Sequence, residues 1–163
     1  MRAFAFIFAR GGSKGLPGKN IKLLNGKPLL QYSIDVAKKV SEISAIFVST
    51  DCSEIAEIAR QDGVSIILRP KELATDRSPE FAAWKHACDY VKVNYGFFDC
   101  LVSLPATSPL RSADDVVSAL ERLERTSADV CISVTAASRS PYFNMVEQYE
   151  NGQVGLIIKP NAG

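Results

Sequence analysis

This chain of 163 residues has very little histidine and almost no net charge. Its only histidine is His86, and its formal net charge is +1. A general nucleic-acid or membrane surface needs a basic excess, so we predict neither partner. His86 lies inside a predicted helix and no G-x-S-x-G segment is present, so Ser-His-Asp hydrolysis has no support.

Long apolar runs and closely spaced metal-binding residues are also absent. The run 4–8 is too short for a membrane span or a signal-peptide core, and Arg10 follows it closely. Asp114 and Asp115 are adjacent, so on a helix they point in different directions. The cysteines are far apart in the chain, at Cys52, Cys88, Cys100 and Cys131. We expect a cytoplasmic protein with reduced, buried thiols and no assignable metal ligands.

The Walker A signature is missing, but a different glycine-rich loop stands where a phosphate site is expected. Residues 9–20 read ARGGSKGLPGKN and follow the apolar run directly. Glycines let backbone N–H groups approach a ligand, and Arg10, Lys14 and Lys19 supply positive charge. The pattern favours a nucleoside triphosphate, bound at the carboxyl end of a strand. The alternative is a surface turn with incidental cations.

Apolar runs alternate with amphipathic segments along the chain. Nearly continuous apolar runs are typical of parallel strands that are covered on both faces. The order predicts an α/β, doubly wound, mostly parallel sheet with helices on both faces. The predicted strands are Ala3–Ala9, Ala45–Ser49, Val64–Leu68, Cys100–Leu104 and Val130–Thr135.

Residues that favour the start of a helix lie between these predicted strands. Pro28 is predicted as a first helical residue, and a second helix is predicted over Ser53–Gln61. Ser78 and Pro79 precede a helix over Glu80–Val93, and Ser112 with Asp115 resembles a capping box.

The last part of the chain predicts a hairpin. Asn151 and Gly152 form a turn signal between Phe143–Tyr149 and Val154–Ile158. No closing helix or strand pattern follows. We therefore expect one nucleotide-binding domain over residues 1–163, shortened at its carboxyl end.

Polar residues follow the other predicted strands as well. Asp51 ends the second strand, where capping of the next helix is the simpler interpretation. Arg69 ends the third and could recognise a base edge or a phosphate, or be an exposed loop cation. Thr107 and Ser108 lie between two prolines after the fourth strand, in a stiff loop that suits a hydroxyl-rich substrate or simply connects to a helix.

Five segments in this order resemble the acylneuraminate cytidylyltransferases, the CMP-sialic acid synthetases and their relatives for other nonulosonic acids. The segments are ARGGSKGLPGKN (9–20), NGKPLL (25–30), VSTD (48–51), LRPKELATD (68–76) and PATSPLR (105–111). The resemblance covers roughly residues 3 to 135. It implies a nucleotide-diphospho-sugar transferase-like fold, CTP and an acidic nine-carbon sugar as substrates, magnesium as cofactor and a homodimer.

The resemblance also implies roles for individual residues. Phosphate contacts, with catalytic charge stabilisation, fall to Arg10, Lys14 and Lys19, assisted by Ser13 and the backbone of Ala9, Gly11 and Gly12. Asn20 would contact the ribose region, and Arg69 the cytosine with Ser78 nearby. Thr107 and Ser108 stay substrate-binding candidates from the character of their own loop.

Two departures from the family leave alternatives open. Pro105 stands where relatives often have a glutamine that touches the sugar, so the sugar is not specified. The family's carboxyl-terminal region, with a substrate-binding arginine, metal-binding aspartates and the dimer segment, has no counterpart in these residues. The alternatives are a non-catalytic CTP-binding remnant and another sugar nucleotidyltransferase of the same fold that uses UTP or GTP.

Overall fold

The computed structural model describes residues 1–136 and 145–157. The chain divides into two compact units, Met1–Cys131 and Ile132–Gly163. Its strands are β1 (Ala3–Phe8), β2 (Leu23–Leu24), β3 (Lys27–Pro28), β4 (Ile43–Thr50), β5 (Ser65–Leu68), β6 (Cys100–Ser103), β7 (Val146–Gln148) and β8 (Val154–Leu156). Its helices are α1 (Leu29–Lys39), α2 (Ser53–Gln61), α3 (Glu80–Tyr95) and α4 (Ala113–Thr126), with short 3-10 turns at Lys19–Ile21 and Lys71–Ala74. The prediction of one domain over the whole chain stays a prediction.

The first unit is built around a parallel sheet in the order β5-β4-β1-β6. Strand β1 lies inside the sheet, and the side chains of Ala3 to Ile7 are almost completely buried. This burial explains why β1 is apolar at every position instead of alternating. The chain moves to one side of β1 through β4 and β5, and returns to its other side at β6. Ligands of such sheets bind where the strand order reverses, outside the carboxyl ends of the strands.

Helices cover both faces of this sheet. One face is aliphatic and packs against α1, α2 and α4, through residues such as Ile34, Ile55 and Val116. The other face is aromatic, with Phe4, Phe6 and Phe47, and packs against Ala87 and Val91 of α3. The predicted doubly wound α/β fold is therefore confirmed.

Some predicted helix starts are confirmed by the structure and others differ from it. The capping box is confirmed: the Ser112 hydroxyl accepts from the Asp115 amide at 3.1 Å, and the Asp115 carboxylate accepts from the Ser112 amide at 2.8 Å. Helix α2 has the predicted bounds, whereas α1 begins one residue after Pro28. Ser78 makes no capping bond to α3. Its hydroxyl instead bonds the Thr75 hydroxyl at 2.8 Å and the carbonyl of Glu72, because Pro79 separates it from the first free helical amides.

The predicted fifth strand over Val130–Thr135 is wrong. This segment forms no regular structure, and Val130, Ile132 and Val134 are 50–71% exposed. Apolar β-branched residues favour a strand only when a neighbouring strand and a packed face accept them, and no described residue pairs with this segment.

In the second unit, β7 and β8 form an antiparallel pair around the turn at Asn151 and Gly152. The hairpin prediction is confirmed there, although Phe143, Asn144 and Ile158 lie outside the described residues. Of the cysteines, only Cys100 is buried and the other three are half-buried, all as free thiols. No described helix is long and apolar enough to cross a membrane.

Candidate nucleotide site

A cavity of about 360 Å³ opens at the carboxyl edge of the sheet. It is lined by the loops that follow β1, β5 and β6, which the strand order brings together at the point where it reverses. Seven sequence-predicted residues line this cavity: Arg10, Ser13, Lys19, Asn20, Arg69, Ser78 and Thr107. The structure thus gathers residues that are almost 100 positions apart in the chain.

The glycine-rich loop passes close to the end of β4 at one point. The amide of Gly11 donates to the Asp51 carboxylate at 3.0 Å. A Cβ atom at Gly11 would stand 2.9 Å from Cβ of Cys52, whereas at Gly12 nothing would lie within 4 Å. Glycine is therefore needed at position 11 for close packing, and position 12 faces open space. Asp51 anchors the loop and makes no capping bond to α2, so the simpler interpretation from the sequence is wrong.

Asn20 fixes the far end of the same loop. It is 6% exposed, and its Nδ2 donates to the carbonyl of Arg10 at 3.0 Å. Gly18, with φ of 63°, turns the chain into the 3-10 turn that carries Lys19 and Asn20. The buried amide of Asn20 holds the Arg10 backbone and thereby positions Arg10 and the neighbouring Lys19 at the cavity.

Two of the three cations of the loop, Arg10 and Lys14, share one carboxylate. Arg10 Nη2 lies 2.8 Å from Asp76 Oδ1, and Lys14 Nζ lies 2.5 Å from Asp76 Oδ2. Bonds from Lys14 and then from Arg10 hold the pKa of the Asp76 carboxyl below its usual range. The Lys14 side chain is 83% exposed. The two cations are thus held in place by an ion pair that is open to water.

Arg69 is arranged differently. It is 8% exposed, its Nη2 donates to the Ser49 carbonyl at 2.9 Å and its Nε to the Ser49 hydroxyl at 3.2 Å. Its guanidinium lies 5.8 Å from the ring centroid of Phe8. Burial lowers the pKa of Arg69 from its ordinary value, which nevertheless leaves it a permanent cation. The guanidinium group is a fixed wall of the cavity.

The loop after β6 closes the other side. The carbonyl of Pro105 accepts from the Ser33 hydroxyl of α1 at 3.1 Å and from Arg111 Nη2 at 3.3 Å. Pro105, Ala106 and Thr107 line the cavity, so two donors from outside hold this part of its wall. Ser108 belongs to the same loop but does not reach the lining.

Four further predicted residues lie beside the cavity and not on its lining: Ala9, Gly11, Gly12 and Lys14. Ala9 is fully buried, and its amide extends the sheet by donating to the Ser49 carbonyl at 3.0 Å. The structure also brings Phe8, Asp76 and Glu80 to the cavity, and the sequence assigned no role to these residues. Asp76 ends the LRPKELATD segment, and its position in that motif was the available signal.

Comparison with known proteins matches the chain to one family. A family model described as "Cytidylyltransferase" matches residues 4–154. The chain is 36% identical over 162 residues to "Post-translational flagellin modification protein B" of Campylobacter coli, covering 96% of this chain and 66% of that protein. It is 39% identical over 142 residues to "CMP-N,N'-diacetyllegionaminic acid synthase" of Legionella pneumophila, covering 86% and 61%. It is 34% identical over 140 residues to "N-acylneuraminate cytidylyltransferase" of Escherichia coli O18:K1:H7, covering 86% and 32%.

The fold also matches solved structures. A CMP:2-keto-3-deoxy-manno-octonic acid synthetase solved with CTP superposes with a TM-score of 0.65 at 23% identity, over 78% of this chain and 49% of that one. At that identity the likeness shows the fold alone. The chain spans about a third to two thirds of the length of these curated relatives.

Proposed function

Because this chain belongs to the cytidylyltransferase family, we propose that it transfers the CMP group of CTP to an acidic nine-carbon sugar of the nonulosonic class. The observation that carries the proposal is the cavity at the carboxyl edge of the sheet, where three cations and a buried asparagine converge. Relatives named for N-acylneuraminate and N,N'-diacetyllegionaminic acid support this substrate class.

The reaction joins the sugar to the α-phosphate. The anomeric hydroxyl of the sugar attacks the α-phosphorus, a new O–P bond forms and the hydroxyl proton is released. The bond to the oxygen that bridges the α- and β-phosphates breaks, and pyrophosphate leaves with the electron pair. Negative charge therefore grows on the leaving group, where positioned cations stabilise it most.

Arg10 and Lys19 are the cations assigned to that charge, because both line the cavity beside the glycine-rich loop. Lys14 joins them by turning from Asp76 toward the phosphates, which its 83% exposed side chain allows. Ser13 of the same loop also lines the cavity. Asn20 has one amide hydrogen on the Arg10 carbonyl and keeps its other polar groups for the ribose.

Arg69 is assigned to the cytosine. Its Nε and Nη2 are used by Ser49, so only its remaining N–H donors face a ligand. A fixed, planar donor can recognise the acceptor atoms of a pyrimidine edge. The wall formed by Pro105, Ala106 and Thr107 is assigned to the sugar, with the Thr107 hydroxyl as a donor and acceptor.

Magnesium is proposed as the cofactor that accompanies the triphosphate. Within residues 1–136 and 145–157, no group of three His, Cys, Asp or Glu side chains could hold a metal ion. Asp76 lines the cavity but is engaged by two cations. The described residues therefore supply no all-protein magnesium site, and Mg²⁺ in such enzymes is usually held by one or two carboxylates together with the phosphates of the substrate. A cytoplasmic homodimer also stays a prediction.

The experiment is pyrophosphate release by the purified chain with CTP, magnesium and a panel of acids that includes N-acetylneuraminic and N,N'-diacetyllegionaminic acid. Turnover with one acid is the expected result. UTP and GTP in place of CTP test the alternative of another nucleotidyltransferase, and CTP binding without turnover would favour the non-catalytic remnant.

A matched pair of lysine variants ties the activity to the cavity. Lys14 and Lys85 are both exposed, at 83% and 72%, and each is paired with one aspartate. Asp76, the partner of Lys14, lines the cavity, whereas Lys85 lies on α3 and its partner Asp89 is not on the lining. Lys85→Ala should therefore keep the rate while Lys14→Ala lowers it. Equal rates in the two variants would remove Lys14 from the proposed phosphate site.

A further inference from the structure

Asp76 stands out because it makes ion pairs with both cations at the start of the glycine-rich loop. Its two carboxylate oxygens are divided between them, Oδ1 at 2.8 Å from Arg10 and Oδ2 at 2.5 Å from Lys14. Arg10 is also tied to the same segment through the carbonyl of Ala74, at 3.4 Å from Nη1. Asp76 lies just after the 3-10 turn Lys71–Ala74, so the loop after β5 reaches across to the loop after β1.

The proposed function gives these two cations to the phosphates of the nucleotide. A cation cannot give the same hydrogens to Asp76 and to a phosphate oxygen. We propose that Asp76 is an internal counter-ion which the triphosphate must displace, so that it lowers the affinity of the site for polyphosphates. This inference rests on the proposed function for its ligand, and on the ion pairs for its sign.

The exposure of the three side chains makes such an exchange feasible. The Asp76 side chain is 36% exposed, that of Arg10 33% and that of Lys14 83%, so water reaches every partner. Ion pairs that are open to water add little to stability, and a triphosphate offers several negative charges in place of one. Before the ligand arrives, the carboxylate offsets the repulsion between Arg10 and Lys14.

A structural role alone predicts the opposite sign. If Asp76 only positioned the two cations for the phosphates, its loss would weaken binding. If it competes with the phosphates, its loss strengthens binding. Asp76→Asn keeps the size of the side chain and removes the charge, so it separates the two cases. The side chain is at the surface, so the variant is expected to fold.

Glu80 supplies the matched control. It lines the same cavity and makes no ion pair within the part of the chain that the structure describes. Glu80→Gln removes one negative charge from the site without releasing a loop cation. Any general effect of net charge on anion binding appears in both variants, and only the release of Arg10 and Lys14 is specific to Asp76→Asn.

The test is calorimetric titration of inorganic tripolyphosphate into the wild-type chain and both variants, with EDTA, at neutral pH and low salt. The expected result is binding about five- to tenfold tighter for Asp76→Asn and less than about twofold tighter for Glu80→Gln, since two exposed ion pairs are released in the first case and none in the second. In an Arg10→Ala, Lys14→Ala background, Asp76→Asn should bring no such gain.

Unchanged or weaker binding by Asp76→Asn would overturn the proposal, as would an equal gain from Glu80→Gln or no detectable binding by any of the three proteins. Parallel titration with CTP separates this test from the proposed function. Tripolyphosphate binding with the expected order, but no binding of CTP, would retain Asp76 as a counter-ion and reject the proposed CTP-dependent function.

Discussion

Arg10 and Arg69 lie on the lining of the same cavity, yet their surroundings differ. Arg10 is paired with a carboxylate in contact with water, at the start of the glycine-rich loop. Arg69 is 8% exposed and is held by neutral oxygens of Ser49 at the end of β4. A cation whose partner can be exchanged is able to turn to a ligand, whereas a cation held by the fold shapes the site.

The largest expected effect is on catalysis and concerns Arg10, the cation with the exchangeable partner. Arg10→Ala should lower kcat/KM for pyrophosphate release by a few hundredfold, or about 3–4 kcal/mol, because one fixed charge beside the leaving group is lost. The stability of the fold should change by less than about 1 kcal/mol, since the lost ion pair is at the surface. Steady-state kinetics and urea unfolding measure the two quantities. A variant that keeps the full rate would sink the assignment.

The next largest effect is on stability and concerns Arg69, the cation that the fold holds. Arg69→Ala should lower the free energy of unfolding by about 2–3 kcal/mol, because a buried charged donor and its packing on Phe8 are lost. The loss is limited because the Ser49 carbonyl still accepts from the Ala9 amide. Urea unfolding beside Arg10→Ala checks the contrast. Similar losses in both variants would show that the two arginines are not held differently.

A substitution at Gly11 tests the point where the glycine-rich loop packs against the end of β4. Gly11→Ala should cost about 1–2 kcal/mol of stability, because its Cβ would stand 2.9 Å from Cβ of Cys52. Gly12→Ala is the matched control in the same loop, with nothing within 4 Å of the new atom. Thermal unfolding of both variants measures the difference. If Gly12→Ala cost as much as Gly11→Ala, close packing on β4 would not be the reason.

The smallest expected effect is the pH dependence of the Asp76 ion pairs. Lys14 and Arg10 lower the pKa of Asp76 in the folded chain, so the unfolded chain binds its proton at higher pH. The stabilisation is therefore present above the ordinary aspartate pKa and is lost as the pH falls through the lowered one. The stability difference between wild type and Asp76→Asn should shrink toward acid. Urea unfolding from neutral to acidic pH measures it, and a difference that grows toward acid would contradict the assignment.

Much of the fold and of the site could be predicted because the signals are local. Continuous apolar runs marked β1, β4, β5 and β6, and Ser112 with Asp115 marked the start of α4. The glycines and cations of residues 9–20 indicated an anion site at the end of β1. Asp51 was misinterpreted because a helix cap and a loop anchor have the same residue type at the same place, and only the partner, Gly11, distinguishes them.

The fifth strand shows where local signals end. Val130–Thr135 has the apolar, β-branched character of β6, but β6 pairs with β1 and no described strand pairs with this segment. Strand formation needs hydrogen-bonding partners from elsewhere in the chain, so composition alone does not decide it.

By itself, the sequence determined the order of β1, β4, β5 and β6 with the helices between them, the loop that carries the cations and the family to which the chain belongs, because each is marked by short segments of neighbouring residues. Tertiary structure alone decided that Asp76 pairs with Arg10 and Lys14, and that Arg69 is buried against Ser49 and Phe8. The physical reason is that the strength of a charge interaction depends on distance and on access to water. Both are set by segments that are far apart in the chain and meet only when the sheet forms.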